Sequence, residues 1–368
     1  MYFKSNGEDV ISEKKRSKWI DAVKAVAIIA VVIDHSFGTL YTNRWVWLST
    51  YFSVSVFVFM AGVTNYYSCE NHHNTSIKEQ TFRRINKMVM PYAVATAIYQ
   101  IAIYKCWNLK EYINFILGFN ITPPFYFVVF FIQLIFVSPY LYRILQIKLN
   151  SKGKTIIKQL VVFELIVIIS VLNVKYTFVV DVWGGGKYIM GGSYLILFFM
   201  GQMAVFFKIF DKIEVKFIYC VFSFIMIFLC LLWIKRYEFL LDNWLHNPFG
   251  DGINPPGITL IIYSVCIVGF LYLFFTLIQR CSNPLVVIIY DFFSGIGKHS
   301  LYIFLYHRLI LDRLLVPYIN IDNIWIRRTI FICMMIGIPI GINIMFDFLK
   351  KTIGNYIVDF YCHSAKLV

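Results

Sequence analysis

Four ionisable residues lie within one apolar stretch near the start of the chain, WIDAVKAVAIIAVVIDHSFG, which covers residues 19–38. They are Asp21, Lys24, Asp34 and His35. Ionisable groups are costly inside hydrocarbon, so those found there usually face a cavity or a partner and mark a functional site. A histidine can exchange a proton near neutral pH, which suits general acid–base chemistry, and a lysine can hold an anionic group.

The spacing of Lys24 and His35 places both side chains on nearly the same helix face. Eleven residues on an α-helix correspond to an offset of about 20° and a separation of about 16 Å. The two residues can therefore serve the two ends of one substrate channel. Two other interpretations remain open: Lys24 can extend to the lipid headgroups, and His35 can be a hydrogen-bonded packing residue. Asp34 cannot face its helix neighbour His35, so a pairing would need another span.

The composition indicates which class of protein positions these residues. The chain has 368 residues, of which 59% are hydrophobic and 15% charged, and its mean hydropathy is +0.69. Repeated apolar runs long enough to cross a bilayer predict an all-α, polytopic transmembrane bundle. The net charge of +14 comes from Lys and Arg that cluster in alternate loops, which favours membrane topology over a nucleic-acid partner. Eight scattered cysteines predict neither a disulfide framework nor a metal site.

The apolar pattern predicts ten spans with both termini in the cytoplasm. A transmembrane domain at 19–350 then lies between a tail at 1–18 and a tail at 351–368. Between Ile278 and His299, breaks at Pro284 and at Gly295 with Gly297 predict a short amphipathic helix against the inner leaflet, before the ninth span. The ten spans are expected at about 20–42, 46–68, 88–106, 124–145, 158–178, 190–208, 216–235, 257–279, 299–317 and 328–349.

The stretch DAVKAVAIIAVVIDHS resembles the first-helix motif of the acyltransferase-3 family of bacterial integral membrane O-acyltransferases. In that motif an arginine precedes a histidine with ten residues between them. His35 matches the histidine, and Lys24 takes the place of the arginine, which resembles the sugar O-acetylase-like branch of the family. A lysine cannot fork onto a phosphate as arginine does, so the donor-binding role carries over less directly.

Three further stretches extend the resemblance over most of the chain in the expected order. VFMAGV, which starts at Val58, is similar to the glycine-containing end of the second family helix. RRINKMVMPY resembles the paired-basic motif before the third helix, with Arg84 at the first basic position and Lys87 in place of the second arginine. GKHSLYIFLYH resembles the late family motif that ends in histidine, here His307.

The resemblance implies an acyl-coenzyme A donor, most often acetyl-CoA, presented from the cytoplasm. Several cations at the inner mouth can hold a multiply phosphorylated donor. The candidates are Lys24, Arg83, Arg84 and Lys87. Ordinary positive-inside topology is the alternative interpretation of the last three residues.

His35 then corresponds to the general base that takes the proton from an acceptor hydroxyl as the hydroxyl attacks the thioester. Asp34 would orient the imidazole or stabilise its charged form. His307 and Arg308 are expected to position groups or to stabilise an oxyanion, with a packing contact as the alternative.

The sequence therefore predicts an O-acyltransferase of the bacterial plasma membrane that moves an acetyl group to a hydroxyl of a cell-envelope or exported carbohydrate. The competing hypothesis is an exporter of polysaccharide or lipid-linked sugar that uses the intramembrane charges as a translocation path. A third possibility is a sensor or assembly partner that has kept the fold without the chemistry.

Overall fold

The computed structural model describes residues 17–72, 75–105, 107–176, 189–244 and 254–364, and regular secondary structure within these ranges is helical. The expected N-terminal tail lies, except for its last two residues, outside them. In chain order the α-helices are α1 (Lys18–His35), α2 (Arg44–Thr50), α3 (Ser53–Asn71), α4 (Ile77–Tyr104), α5 (Leu109–Gly118), α6 (Tyr126–Gln146), α7 (Lys152–Tyr176), α8 (Tyr194–Phe206), α9 (Ile209–Lys212), α10 (Phe217–Trp244), α11 (Ile258–Arg280), α12 (Pro284–Lys298), α13 (Ser300–Leu309), α14 (Val316–Tyr318) and α15 (Ile324–Ser364).

The prediction of an all-helical membrane protein is confirmed. Each of the ten expected segments contains a helix, and six helical segments among the described residues are long and apolar enough to cross a bilayer. The count of ten spans and the cytoplasmic position of both ends stay predictions. The six segments are Arg44–Asn71, Pro123–Gln146, Lys152–Val174, Phe217–Arg236, Ile258–Arg280 and Ile324–Phe348.

Several helices differ in detail from the expected spans. α1 ends at His35, because the Ser36 hydroxyl donates to the carbonyl of Val32 and Gly38 turns the chain with φ of 81°. The expected ninth span contains α13, a π-helical turn over Ile310–Leu315, and α14. α15 continues past the expected boundary at residue 350 to Ser364.

α1 lies at the centre of the bundle and packs against α2, α3, α11, α12, α13 and α15. Its small and β-branched residues contribute to both of the large hydrophobic clusters. Ala22, Val23 and Ala27 belong to the cluster that includes α3, α8 and α11. Ile28 and Val32 belong to the cluster that includes α4, α6 and α13. α1 therefore contributes to both halves of the core, as α6 and α12 also do.

Three glycines allow helices to approach at backbone contact. A methyl group at Gly62 of α3 would overlap the carbonyl of Phe198 in α8, and one at Gly201 of α8 would overlap the carbonyl of Phe59. Gly297 of α12 lies in the same way against the backbone of Asp21 in α1. Close approach through glycine is a common way to pack membrane helices.

The α12 segment is the short helix expected before the ninth span, and its end lies just past the glycines where a break was expected. The helix starts with Pro284 at its first turn and runs through Gly295 and Gly297 to Lys298 without a break. The reason is the contact with α1, since Gly297 serves packing and the helix hydrogen bonds continue around it. Its opposite face exposes Leu285 and Phe292 among other apolar side chains, so the helix is amphipathic in the sense of one packed and one exposed face.

Candidate functional site

The last residue of α1 and a residue near the end of α13 form a histidine pair. His35 Nδ1 lies 2.6 Å from Nε2 of His307, and the two ring planes are 8° apart with centroids separated by 4.9 Å. His307 is fully buried, whereas the side chain of His35 keeps 29% of its exposure. The two residues are far apart in sequence and are brought together because α13 packs against α1.

The hydrogen bonds of His307 determine which nitrogen of His35 carries a proton. His307 Nδ1 lies 3.0 Å from the carbonyl of Ile303 and 2.9 Å from that of Phe304. Carbonyl oxygens only accept, so His307 Nδ1 must carry a hydrogen, and in the neutral ring Nε2 is then an acceptor. His35 Nδ1–H donates to that nitrogen, and His35 Nε2 therefore carries no hydrogen and has a free lone pair. The pair therefore fixes His35 as a potential proton acceptor at Nε2.

Arg308 holds the end of α1 beside this pair. Its guanidinium donates to the backbone carbonyl of His35 at 2.9 Å and pairs with Asp312 at 2.7 Å. The final carbonyls of a helix have no partner within the helix, and a cationic side chain there satisfies one of them and interacts favourably with the helix dipole. Arg308 thus fixes the backbone of His35, and its contact with the pair is to the main chain.

Asp34 has its hydrogen-bond partners on α2. Thr50 Oγ1 lies 3.3 Å from Asp34 Oδ1, and the side chain of Trp47 also lies beside this carboxylate. The other oxygen, Oδ2, lies 3.9 Å from His35 Nε2, beyond hydrogen-bond distance. The partner that the sequence left undefined for Asp34 is therefore α2, and the group that orients the imidazole is His307.

A cavity of about 810 Å³ lies beside α1. It is lined by Ile20, Lys24 and Val31 of α1, which share one helix face, and by Phe304 of α13. Val31 lies one helical turn before His35, and the ring of Phe304 is 6.2 Å from that of His307. The cavity thus runs along the face of α1 that carries Lys24, and its apolar end reaches Val31 and Phe304. His35 and His307 lie beyond this end and do not line the cavity.

Cationic and polar side chains line the opposite part of the cavity. Lys24 and Arg84 are half-buried there, and Lys87 is exposed. The guanidinium of Arg84 donates to Asn65 Oδ1 at 2.7 Å and lies 3.2 Å from Ser138 Oγ. It also lies 3.3 Å from the sulfur of Cys69. In the described part of the chain, the hydrogen-bond partners of Arg84 are neutral, which leaves its charge available to an anion.

Arg83 does not belong to this group. Its guanidinium pairs with Glu79 at 2.7 Å on the exposed surface of α4, and Arg83 does not line the cavity. Adjacent helix positions point about 100° apart, so one member of an Arg-Arg pair on α4 faces the cavity and the other faces away. Asp211 and His72 also line the cavity, so its wall is of mixed charge.

Four contributing residues were not found by sequence reasoning. Asn65 and Ser138 position Arg84, while Trp47 and Thr50 contact Asp34. Polar residues within apolar spans were a usable signal for Asn65 and Ser138. Among the described residues, no cluster of His, Cys, Asp and Glu has an arrangement that could hold a metal ion.

Comparison with known proteins gives one family. The family model Acyl_transf_3, described as an acyltransferase domain, matches residues 17–344, which include the histidine pair and all the cavity-lining residues. No curated protein and no solved structure matches the chain significantly.

Proposed function

Because the chain belongs to the acyltransferase-3 family of membrane proteins, we propose that it transfers an acetyl group from cytoplasmic acetyl-CoA to a hydroxyl of a cell-envelope or exported carbohydrate. The proposed location is the plasma membrane of a bacterium. The observation that carries the proposal is the hydrogen-bond sequence from the backbone of α13 through His307 to His35, which leaves a basic nitrogen on a partly exposed imidazole.

The proposed reaction uses this nitrogen twice. His35 Nε2 accepts the proton of the acceptor hydroxyl while the hydroxyl oxygen forms a bond to the thioester carbonyl carbon. The imidazolium is stabilised by His307 Nε2, which accepts from Nδ1–H throughout. When the tetrahedral intermediate collapses, the C–S bond breaks and the thiolate takes the proton from Nε2. The products are the acetyl ester and free coenzyme A, and His35 returns to its starting state.

The cavity supports the binding of a long anionic donor. Its cationic part, with Lys24, Arg84 and Lys87, suits the phosphates of coenzyme A, and its apolar part suits the thioester arm. The distance of about 16 Å along α1 between Lys24 and His35 allows a donor to bridge the two groups. In this proposal Arg83 has no part in donor binding, because it pairs with Glu79 on the exposed surface.

The test is the replacement His35→Ala in detergent-purified protein, with transfer of labelled acetyl from acetyl-CoA to de-O-acetylated surface glycan as the readout. Loss of a general base typically lowers the rate by about 10²- to 10⁴-fold. His299→Ala is the matched control, because His299 contacts Asn343 of α15 and precedes His307 by about two helical turns of α13. Undiminished transfer by His35→Ala would refute the assigned role, and wild-type protein that consumes no acetyl-CoA would favour the exporter hypothesis.

A further inference from the structure

The carboxylate of Asp34 has more acceptor capacity than its protein partners use. An ionised carboxylate offers about four lone-pair sites. The Thr50 hydroxyl has a single proton and lies closer to the carbonyl of Trp47, at 2.6 Å, than to Asp34, at 3.3 Å. Within the described residues, Asp34 therefore receives one long hydrogen bond from Thr50, with the side chain of Trp47 beside it. The side chain keeps 30% of its exposure, so a further donor can reach it.

Asp34 also lies on the reactive side of His35. Its Oδ2 is 3.9 Å from Nε2, the nitrogen that carries the lone pair, whereas His307 occupies Nδ1 on the opposite side of the ring. Two acceptor atoms, a nitrogen base and a carboxylate oxygen, therefore lie 3.9 Å apart on partly exposed side chains without a hydrogen bond between them. Adjacent hydroxyl groups on a sugar ring present two donors at a comparable separation.

We propose that Asp34 selects the acceptor by binding a second hydroxyl, so that the acceptor is a sugar unit with two adjacent hydroxyl groups. This inference rests on the proposed function. One hydroxyl donates to His35 Nε2 and becomes the nucleophile, and its neighbour donates to Asp34 Oδ2. Only the first hydroxyl loses its proton, which passes to Nε2 and then to the leaving thiolate. The second hydroxyl keeps its proton and is unchanged in the product.

The surroundings of Asp34 suit a sugar ring. Trp47, which lies beside Asp34, stacks on Phe37 with ring centroids 4.9 Å apart and planes 18° apart. Tyr51 meets Trp47 edge to face at 5.1 Å. Phe37 and Trp47, which are partly exposed, form an apolar surface beside the carboxylate, and the buried Tyr51 packs behind them. Sites with aromatic walls and a few placed polar groups are typical of small-molecule binding. The C–H face of a pyranose can rest there while its hydroxyls reach the two acceptor atoms.

The experiment measures kcat/KM for acetyl transfer from acetyl-CoA to methyl glycosides of glucose, galactose and mannose, with the full-length protein in detergent. The position of the new ester is determined by NMR, and each accepted glycoside is then compared with the deoxy derivative that lacks the adjacent hydroxyl. In the wild type we expect that deletion to lower kcat/KM by about 10- to 100-fold, the range for a hydrogen bond to a charged group.

Variants of Asp34 test whether this residue causes the decrease in kcat/KM with the deoxy glycosides. Asp34→Ala is expected to turn over the intact and deoxy glycosides at equal rates, and the isosteric Asp34→Asn is expected to show a reduced preference with an unchanged KM for acetyl-CoA. Asp322→Ala, which removes an exposed carboxylate before α15, should keep the wild-type preference. The role of Asp34 would be refuted if both Asp34 variants kept the wild-type preference for intact over deoxy glycosides, or if the wild type showed no such preference. Either result would leave the proposed function standing. Failure of the wild type to acetylate any glycoside or the surface glycan would overturn the proposed function as well.

Discussion

His307 can be tested specifically, because it is buried, takes no proton from the substrate and acts only through its hydrogen bond with His35. The change His307→Phe keeps an aromatic ring of similar size but removes the acceptor for His35 Nδ1–H. In the transition state that hydrogen bond joins an imidazolium to a neutral nitrogen, and a hydrogen bond to a charged group contributes about 1.5–3 kcal/mol. Its loss should therefore lower kcat by about 10- to 150-fold. A further decrease is expected because the tautomer of His35 is no longer fixed.

The matched variant is His307→Gln, whose side-chain oxygen can accept the same hydrogen bond. We expect it to restore kcat to within about 10-fold of the wild type, while the KM for acetyl-CoA stays constant in both variants. The assay is steady-state transfer from labelled acetyl-CoA with thermal unfolding in detergent as the check on folding. Wild-type kcat in His307→Phe would refute the role of the pair. Equal losses in the two variants, with equal losses of thermal stability, would indicate that His307 serves packing alone.

Three further predictions concern the cavity and the helix contacts. Arg84→Ala should raise the KM for acetyl-CoA by about 10-fold or more, as expected for the loss of a charge-assisted contact. Arg83→Ala should leave this KM unchanged. Equal effects of the two variants in a steady-state assay would contradict the assignment of the cavity as the donor site. Lys24→Met should raise the same KM with little change in kcat, and a decrease confined to kcat would show that Lys24 acts at the chemical step. Gly62→Ala should destabilise the fold by about 1–3 kcal/mol through overpacking, while Gly269→Ala, which meets open space, should be neutral or stabilising in thermal unfolding.

The sequence predicted the arrangement of candidate site residues best where all of them lie on one helix. Helical spacing places Lys24 and His35 on one face of α1, and the cavity follows that face as far as Val31, one turn before His35. The partner of His35 could not be derived in the same way, because His307 lies 272 residues further along the chain and on another helix. Arg83 and Arg84 differ for a related reason: the register of α4 against its neighbours decides which of the two faces the cavity, and packing sets that register.

The contacts of Asp34 show a second limit of sequence reasoning. Regular helical geometry predicted that neighbours Asp34 and His35 do not face each other, yet Asp34 Oδ2 lies 3.9 Å from His35 Nε2. It also could not identify Thr50 and Trp47 as neighbours of the carboxylate. Those contacts exist because the chain turns back after Gly38 and places α2 beside the end of α1. A turn that depends on one residue with positive φ, and a helix as short as α2, are weak features in an apolar pattern.

The hydrogen bonds that fix His307 have a consequence for the membrane potential. A proton that moved from His35 to His307 would reach only the carbonyls of Ile303 and Phe304, which cannot pass it on, so this pair is a closed end for proton conduction. A proton taken up at His35 Nε2 therefore leaves from Nε2. If the hydroxyl approaches from outside and the thiolate leaves inside, each turnover moves an acetyl group outward and a proton inward. The donor and the acceptor both keep their charge, so no net charge crosses the membrane. Acetylation by this arrangement would be electroneutral and would proceed at the same rate in energised and de-energised membranes.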